Sequence, residues 1–223
     1  MEKSVKLKKI SASAMLCALA FLCMFVFRIK VSFLTFDAKD AVISIISLMF
    51  GPLYGVMSAA IVAFLEFISV SDTGVYGLIM NFLSSGTFAL TCGIIYKYKK
   101  SFSGAILGLS ISVFSVTAVM LLANLFITPY FMGADRSVVI SMIAPLLLPF
   151  NLTKAAMNAA ITLAIYKPLT TGLKKTGLIP NNNSNYKLNA KSILLIVIAL
   201  IVIVIAIFIF VLVLNGKFEL IRS

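Results

Sequence analysis

Residues 41–55, Ala41-Val42-Ile43-Ser44-Ile45-Ile46-Ser47-Leu48-Met49-Phe50-Gly51-Pro52-Leu53-Tyr54-Gly55, decide the fold. Read as one kinked helix, the stretch crosses an apolar layer once. Read as two helices broken at Gly51-Pro52, it crosses twice, and every later segment changes sides. The dipeptide is a turn signal: proline has no amide hydrogen to continue a helix, and glycine tolerates the backbone of a sharp stop. The two-helix reading places a short helix at 41–51 and a longer one at 53–69. The first is too short to cross ~30 Å of hydrocarbon unless it begins nearer Phe36.

The same apolar texture extends along the 223 residues. The chain is 61% hydrophobic and only 12% charged, with mean hydropathy +1.12. Soluble domains lie nearer ~45–50% apolar. The apolar runs do not alternate with polar residues, which excludes a membrane β-barrel. Further helices are expected at 10–27, 76–96, 104–128, 143–166 and 192–214. The run at 10–27 exceeds a signal-peptide core and reads as the first permanent helix. The expected fold is therefore all-α, a polytopic membrane helix bundle. A six-helix core occupies 1–178, a polar linker with Asn181-Asn182-Asn183-Ser184-Asn185 occupies 179–191, and an additional C-terminal transmembrane helix occupies 192–214. No polar residue interrupts that last helix, which suits a lipid-facing anchor.

Charge fixes the orientation. The net charge of +12 would suggest nucleic acid in a soluble protein. Here the basic residues gather in short loops, so nucleic acid is excluded as a partner and topology explains them. With a cytoplasmic N-terminus and seven spans, the inside holds 12 of the 19 basic residues, at Lys3 to Lys9, Lys97 to Lys100, Lys167 to Lys175, Lys187 and Lys191. Arg28, Lys30, Lys39, Arg136, Lys217 and Arg222 fall outside, as does the C-terminus. The expected location is the cell membrane. Cys17, Cys23 and Cys92 fall in spans and read as small buried apolar residues.

The nineteenth basic residue is Lys154, inside an apolar run as Leu148-Pro149-Phe150-Asn151-Leu152-Thr153-Lys154. An ammonium at that depth costs several kcal/mol and marks a ligand, an ion or a partner charge. Asn151, Lys154 and Asn158 stand at i, i+3 and i+7, one stripe of a helix that must face the bundle interior. Topology brings other polar groups to the same outer end: Asn124, then Asn81 with Ser84 and Ser85, then Asp37 and Asp40 in the loop before the second helix. Each has a plainer reading. Asn124 would bridge two helices, Asp37 and Asp40 would complement a helix dipole, and Lys154 would pair with Glu66, placed in the inner or middle part of its helix. Their convergence favours an outward-opening pocket.

Other chemistry is absent. There is no G-x-x-x-x-G-K-[ST] phosphate loop, so the chain does not hydrolyse ATP by that route. Without histidine no Ser-His-Asp, Cys-His or HExxH site can be built, and no CxxC pair suggests a metal. No catalytic residue, cofactor or metal site is expected. No internal repeat suggests an autonomous carrier. Two other classes stay open: a membrane scaffold whose polar groups only join helices, and a proton-coupled carrier using Glu66 and Lys154.

Several strings resemble the substrate-binding S components of energy-coupling-factor (ECF) vitamin transporters, nearest the riboflavin-specific branch. They are Phe33-Leu34-Thr35-Phe36-Asp37-Ala38-Lys39-Asp40, Phe50 to Gly55, Asn81-Phe82, Gly86-Thr87, Asn124 followed by Pro129, and Leu148 to Lys154. The resemblance covers about residues 8–170. It implies a six-helix core that captures riboflavin from outside, together with a transmembrane coupling subunit and two cytoplasmic ATPases. It implies that Ala14 and Ala18 face the coupling subunit, and that Asn124, Asn151 and Lys154 contact the flavin. Amides suit the alternating donors and acceptors of a flavin edge. Leu34, Phe36 and Phe150 are candidate walls, and Asp37, Asp40 and Asn81 complete the expected site. Arg28 and Lys30 would meet a phosphate if the ligand were FMN. The chain departs from the family at Ala63-Phe64-Leu65-Glu66, where a basic residue and an amide often occur, and in its seventh helix.

Overall fold

Gly51 stops one helix and starts another. Its backbone, at φ 108° and ψ 164°, fits neither helix. In the computed structural model, which describes residues 2–26, 28–175 and 201, α1 (Glu2–Val26) leads into a hairpin of β1 (Ile29–Val31) and β2 (Leu34–Phe36). The short helix α2 (Lys39–Phe50) follows, then α3 (Pro52–Ser69), α4 (Gly74–Tyr98) and α5 (Phe102–Met132). A last rod comprises α6 (Arg136–Met142), a π-turn (Ile143–Leu147) and α7 (Leu148–Lys175). The two-helix reading of residues 41–55 is the observed one.

Five helical stretches are long and apolar enough to cross a membrane, at Lys6–Val26, Pro52–Ser69, Gly74–Tyr98, Phe102–Met132 and Arg136–Tyr166. Their outer faces carry large apolar side chains. On α3 these are Leu53, Met57, Ile61, Phe64 and Ile68, a stripe at helical spacing that suits lipid contact. The twelve-residue α2 differs. Ten of its residues are buried, among them Lys39, Asp40, Ser44 and Ser47, and it packs against α1, α3, α4 and α7. A helix walled off from lipid can hold charges that a peripheral helix cannot.

Small residues let the neighbours of α2 come close. A Cβ added at Gly55 of α3 would lie 2.5 Å from Ser47 Cβ, and one at Gly93 of α4 would lie 2.9 Å from Pro52 Cα. Ser47 Oγ donates to the Ala89 carbonyl at 2.6 Å across the same corner. Leu48, Phe88, Cys92, Leu109, Val116 and Ala155 pack together from α2, α4, α5 and α7. Cys17 is also buried, and Cys23 is half-buried.

The structure corrects the expected elements in three places. The segment before α2 is a β-hairpin, pairing Ile29 with Phe36, Lys30 with Thr35 and Val31 with Leu34. Its two-residue loop puts Ser32 at φ 56°, the positive φ that such loops place first. Second, the helix expected at 143–166 begins at Arg136 and continues to Lys175 through the π-turn. Pro145 lies in that turn, where its missing amide is accommodated. Third, Glu66 lies near the C-terminal end of α3, beside the hairpin end of the bundle, not in the inner or middle part of its helix. The linker 179–191 and the helix expected at 192–214 lie, Ile201 apart, outside the described residues.

Candidate functional site

The hairpin, the turn between α3 and α4, and the facing ends of α4, α5 and α7 surround a cavity. Its atom-free space is about 850 Å³ with the open mouth included. Leu34, Asn81, Asn124, Phe150, Asn151 and Lys154 all border it. Residues from four separate segments are thus gathered at one end.

Lys154 is 8% exposed. Its Nζ donates to the Thr35 carbonyl at 2.9 Å and to Asp37 Oδ2 at 2.8 Å. An ammonium has three protons, and the third has no acceptor among the described residues. The expected alternative partner, Glu66, is taken by another cation. Lys39 Nζ donates to Glu66 Oε2 at 2.5 Å and to Asn81 Oδ1 at 3.2 Å, and lies 3.4 Å from Asp37 Oδ2. Two lysines and two carboxylates therefore form one buried chain, Lys154–Asp37–Lys39–Glu66. Each charge has an opposite neighbour, which a low-dielectric interior demands.

Three expected site residues stand behind the cavity. Asp37 is fully buried beneath Lys154. Asp40 accepts from Ser85 Oγ of α4 and is 4% exposed. Neither is in an open outer loop: Asp37 shares the Lys154 ammonium with the hairpin's Thr35 carbonyl, and Asp40 lies in the first turn of α2 against α4. Phe36 packs edge-on against Phe150, ring centroids 5.8 Å apart, so it supports the wall that Phe150 forms. The third member of the α7 stripe, Asn158, also lies deeper. Its Oδ1 accepts from Ala41 N–H at 2.9 Å and its Nδ2 donates to the Asp37 carbonyl at 2.9 Å. Asp37 Oδ1 accepts from Lys39 N–H at 3.2 Å. Side chains thus satisfy two of the amides that begin α2, a helix without a side-chain cap of its own at Ala38.

The cavity amides keep some capacity free. Asn124 Nδ2 donates to the Met120 carbonyl and its Oδ1 accepts from Thr128 Oγ1, both at 2.7 Å, which leaves one amide proton. Asn151 Nδ2 donates to the Leu147 carbonyl at 2.7 Å, and its Oδ1 has no partner among the described residues. Asn151 likewise keeps one amide proton, so with Lys154 the site offers three donors, and the Asn151 oxygen as an acceptor, on neighbouring helices. At the mouth, Arg28 Nη2 donates to the Val70 carbonyl at 3.1 Å and Lys30 Nζ to Asp72 Oδ2 at 2.7 Å. These bonds tie the hairpin to the α3–α4 turn. The Lys30 ammonium holds the Asp72 carboxyl below its ordinary range.

Sequence reading missed Lys39 and Thr35 as parts of this arrangement, and paired Glu66 with Lys154 where the structure pairs it with Lys39. The local signal for Lys39 was its place between Asp37 and Asp40, and its partner Glu66 is 27 residues away. Thr35 contributes a backbone carbonyl, which no side-chain pattern reveals.

Apolar crossing helices around a polar cavity at one end define a multi-pass membrane protein. Comparison with known proteins narrows the class. The profile of the family described as "ECF transporter, substrate-specific component" matches residues 8–166. The riboflavin transporter RibU of Staphylococcus aureus (strain TCH60) is 30% identical over 183 residues, covering 75% of this chain and 93% of RibU. A solved structure of the S component of a bacterial ECF transporter superposes with a TM-score of 0.66 at 28% identity, covering 76% of this chain and 99% of that one. The chain belongs to the family of substrate-specific components of ECF transporters.

Proposed function

We propose that this chain binds riboflavin in the cavity between α5 and α7, as the capture subunit of an ATP-driven uptake system. One observation carries the reading: the free hydrogen-bonding groups of Asn124, Asn151 and Lys154 border one cavity. The pyrimidine edge of a flavin presents one N–H between two carbonyls. One free acceptor at Asn151 and free donors at Asn124 and Lys154 are the complementary set. Leu34 and Phe150 supply apolar wall for the ring. The likeness to a riboflavin transporter supports the same ligand.

Energy comes from elsewhere in this reading. A transmembrane coupling subunit and two cytoplasmic ATPases drive release, and the chain itself has no ATPase activity. The N-terminus is cytoplasmic and the cavity opens outward, in keeping with Lys97, Lys99 and Lys100 at the opposite end of α4. Ala14 and Ala18 lie on an exposed face of α1, which suits the coupling subunit.

A second reading has its own observation. Arg28 Nε is buried without a hydrogen-bond partner among the described residues, beside the cavity mouth that Lys30 also borders. A phosphate on the ligand, as in FMN, would occupy such a donor. The test is a visible spectrum of the full chain purified in detergent, followed by quenching of added flavin fluorescence. Riboflavin capture predicts flavin absorption bands or saturable quenching, and preference for FMN in competition selects the second reading. A colourless preparation that quenches neither flavin rejects both.

A further inference from the structure

Glu66 is the cavity residue that flavin-edge recognition does not use. It is 3% exposed, yet it borders the cavity from α3, and the Lys39 ammonium joins it to Asn81 of α4. Lys39 holds its Oε2 from behind at 2.5 Å. Oε1 has no partner among the described residues. The same ammonium engages Asn81 Oδ1, so the Asn81 amide protons turn away from Lys39 and remain for another acceptor. This wall therefore offers a fixed anionic acceptor beside a neutral donor.

A carboxylate placed against a flavin's pyrimidine edge could accept from its single N–H but would be repelled by the carbonyl oxygens on either side. A polyhydroxylated chain has no such conflict, because each hydroxyl can donate to a carboxylate and accept from an amide. Resting on the riboflavin reading above, we infer that Glu66, held by Lys39, is the specificity-determining residue for the ligand's polyol chain. The cavity then divides its work. The α5 and α7 wall reads the ring, and the α3 and α4 wall reads the hydroxyls.

The experiment compares riboflavin with lumiflavin, which carries the same ring with a methyl group in place of the ribityl chain. Fluorescence-quenching titrations use the full chain in detergent, as wild type, Glu66→Gln and the double variant Lys39→Met/Glu66→Leu. The double variant removes both buried charges together, a change that membrane and core sites tolerate better than leaving one unpaired. The readout is the ratio of the two affinities within each preparation, which a partial folding defect does not move. A hydrogen bond to a charged acceptor is worth roughly 10- to 100-fold. The preference for riboflavin should fall by that factor in either variant, with lumiflavin affinity within about threefold of wild type. Equal losses for both ligands, or an unchanged ratio, overturn the assignment while leaving flavin binding intact. Failure of the wild type to bind either flavin removes the underlying reading and the assignment with it.

Discussion

Replacing Lys154 with methionine separates two jobs that one ammonium performs. In the unliganded chain it neutralises Asp37 at 2.8 Å and donates to the Thr35 carbonyl at 2.9 Å. Asp37 is fully buried, and stripping a buried charge of its partner costs about 3–5 kcal/mol. The cost here should sit near the low end of that range. Asp37 keeps Lys39 Nζ at 3.4 Å and the Lys39 amide at 3.2 Å, so it is not orphaned. Methionine retains the apolar stem and avoids adding a cavity. Loss of the third proton removes one charged hydrogen bond to the ligand, about 1.5–3 kcal/mol, or roughly 10- to 150-fold in affinity. Thermal unfolding in detergent reads the first effect and flavin quenching the second. Adding Asp37→Asn to Lys154→Met should recover part of the stability but none of the affinity, because it removes the stranded charge without restoring the donor. Wild-type flavin affinity in folded Lys154→Met protein would refute the reasoning.

Other perturbations test separate parts of the structure. Asn158→Ala removes the bonds to Ala41 N–H and the Asp37 carbonyl, and should cost about 1–3 kcal/mol in thermal stability while flavin affinity in the folded fraction stays within about threefold. Gly93→Val should prevent α4 from seating on the α2–α3 corner, since even a Cβ would lie 2.9 Å from Pro52 Cα; a folding yield equal to wild type would contradict that close approach. Bulky leucines at Ala14 and Ala18, both exposed on α1, should leave flavin quenching unchanged and abolish co-purification with the coupling subunit. Lys30→Ala removes one of the two bonds from the hairpin to the α3–α4 turn. Stopped-flow quenching should show faster flavin dissociation by a few-fold, with no change in melting temperature above about 2 °C.

The helices and their breaks were legible because helical periodicity and Gly-Pro punctuation are local. Gly51-Pro52 marks the α2–α3 corner with no knowledge of the rest of the chain. Asn151, Lys154 and Asn158 were recognisable as an interior stripe because amides and an ammonium cannot face lipid. The hairpin was not legible. Ile29-Lys30-Val31 and Leu34-Thr35-Phe36 alternate for only three residues each, and Ser32-Phe33 lacks the Asn-Gly signature of a two-residue turn. Asp37 and Asp40 read as loop acids, whereas Asp37 is buried beneath Lys154 and Asp40 in the first turn of α2 against α4. The Lys39–Glu66 pair was hidden for a related reason. It joins helices through their folded separation, and only the position of α2 at the centre of the bundle brings the two charges together. The π-turn has one trace in sequence, Pro145, whose missing amide marks a break in regular helical bonding without giving its form.

A structure of the full chain determined with riboflavin tests the central claim most directly. The account predicts a flavin ring lying between α5 and α7, with Asn151 and the Lys154 ammonium within hydrogen-bond distance of its pyrimidine edge. A flavin seated elsewhere, with the cavity vacant, would contradict it.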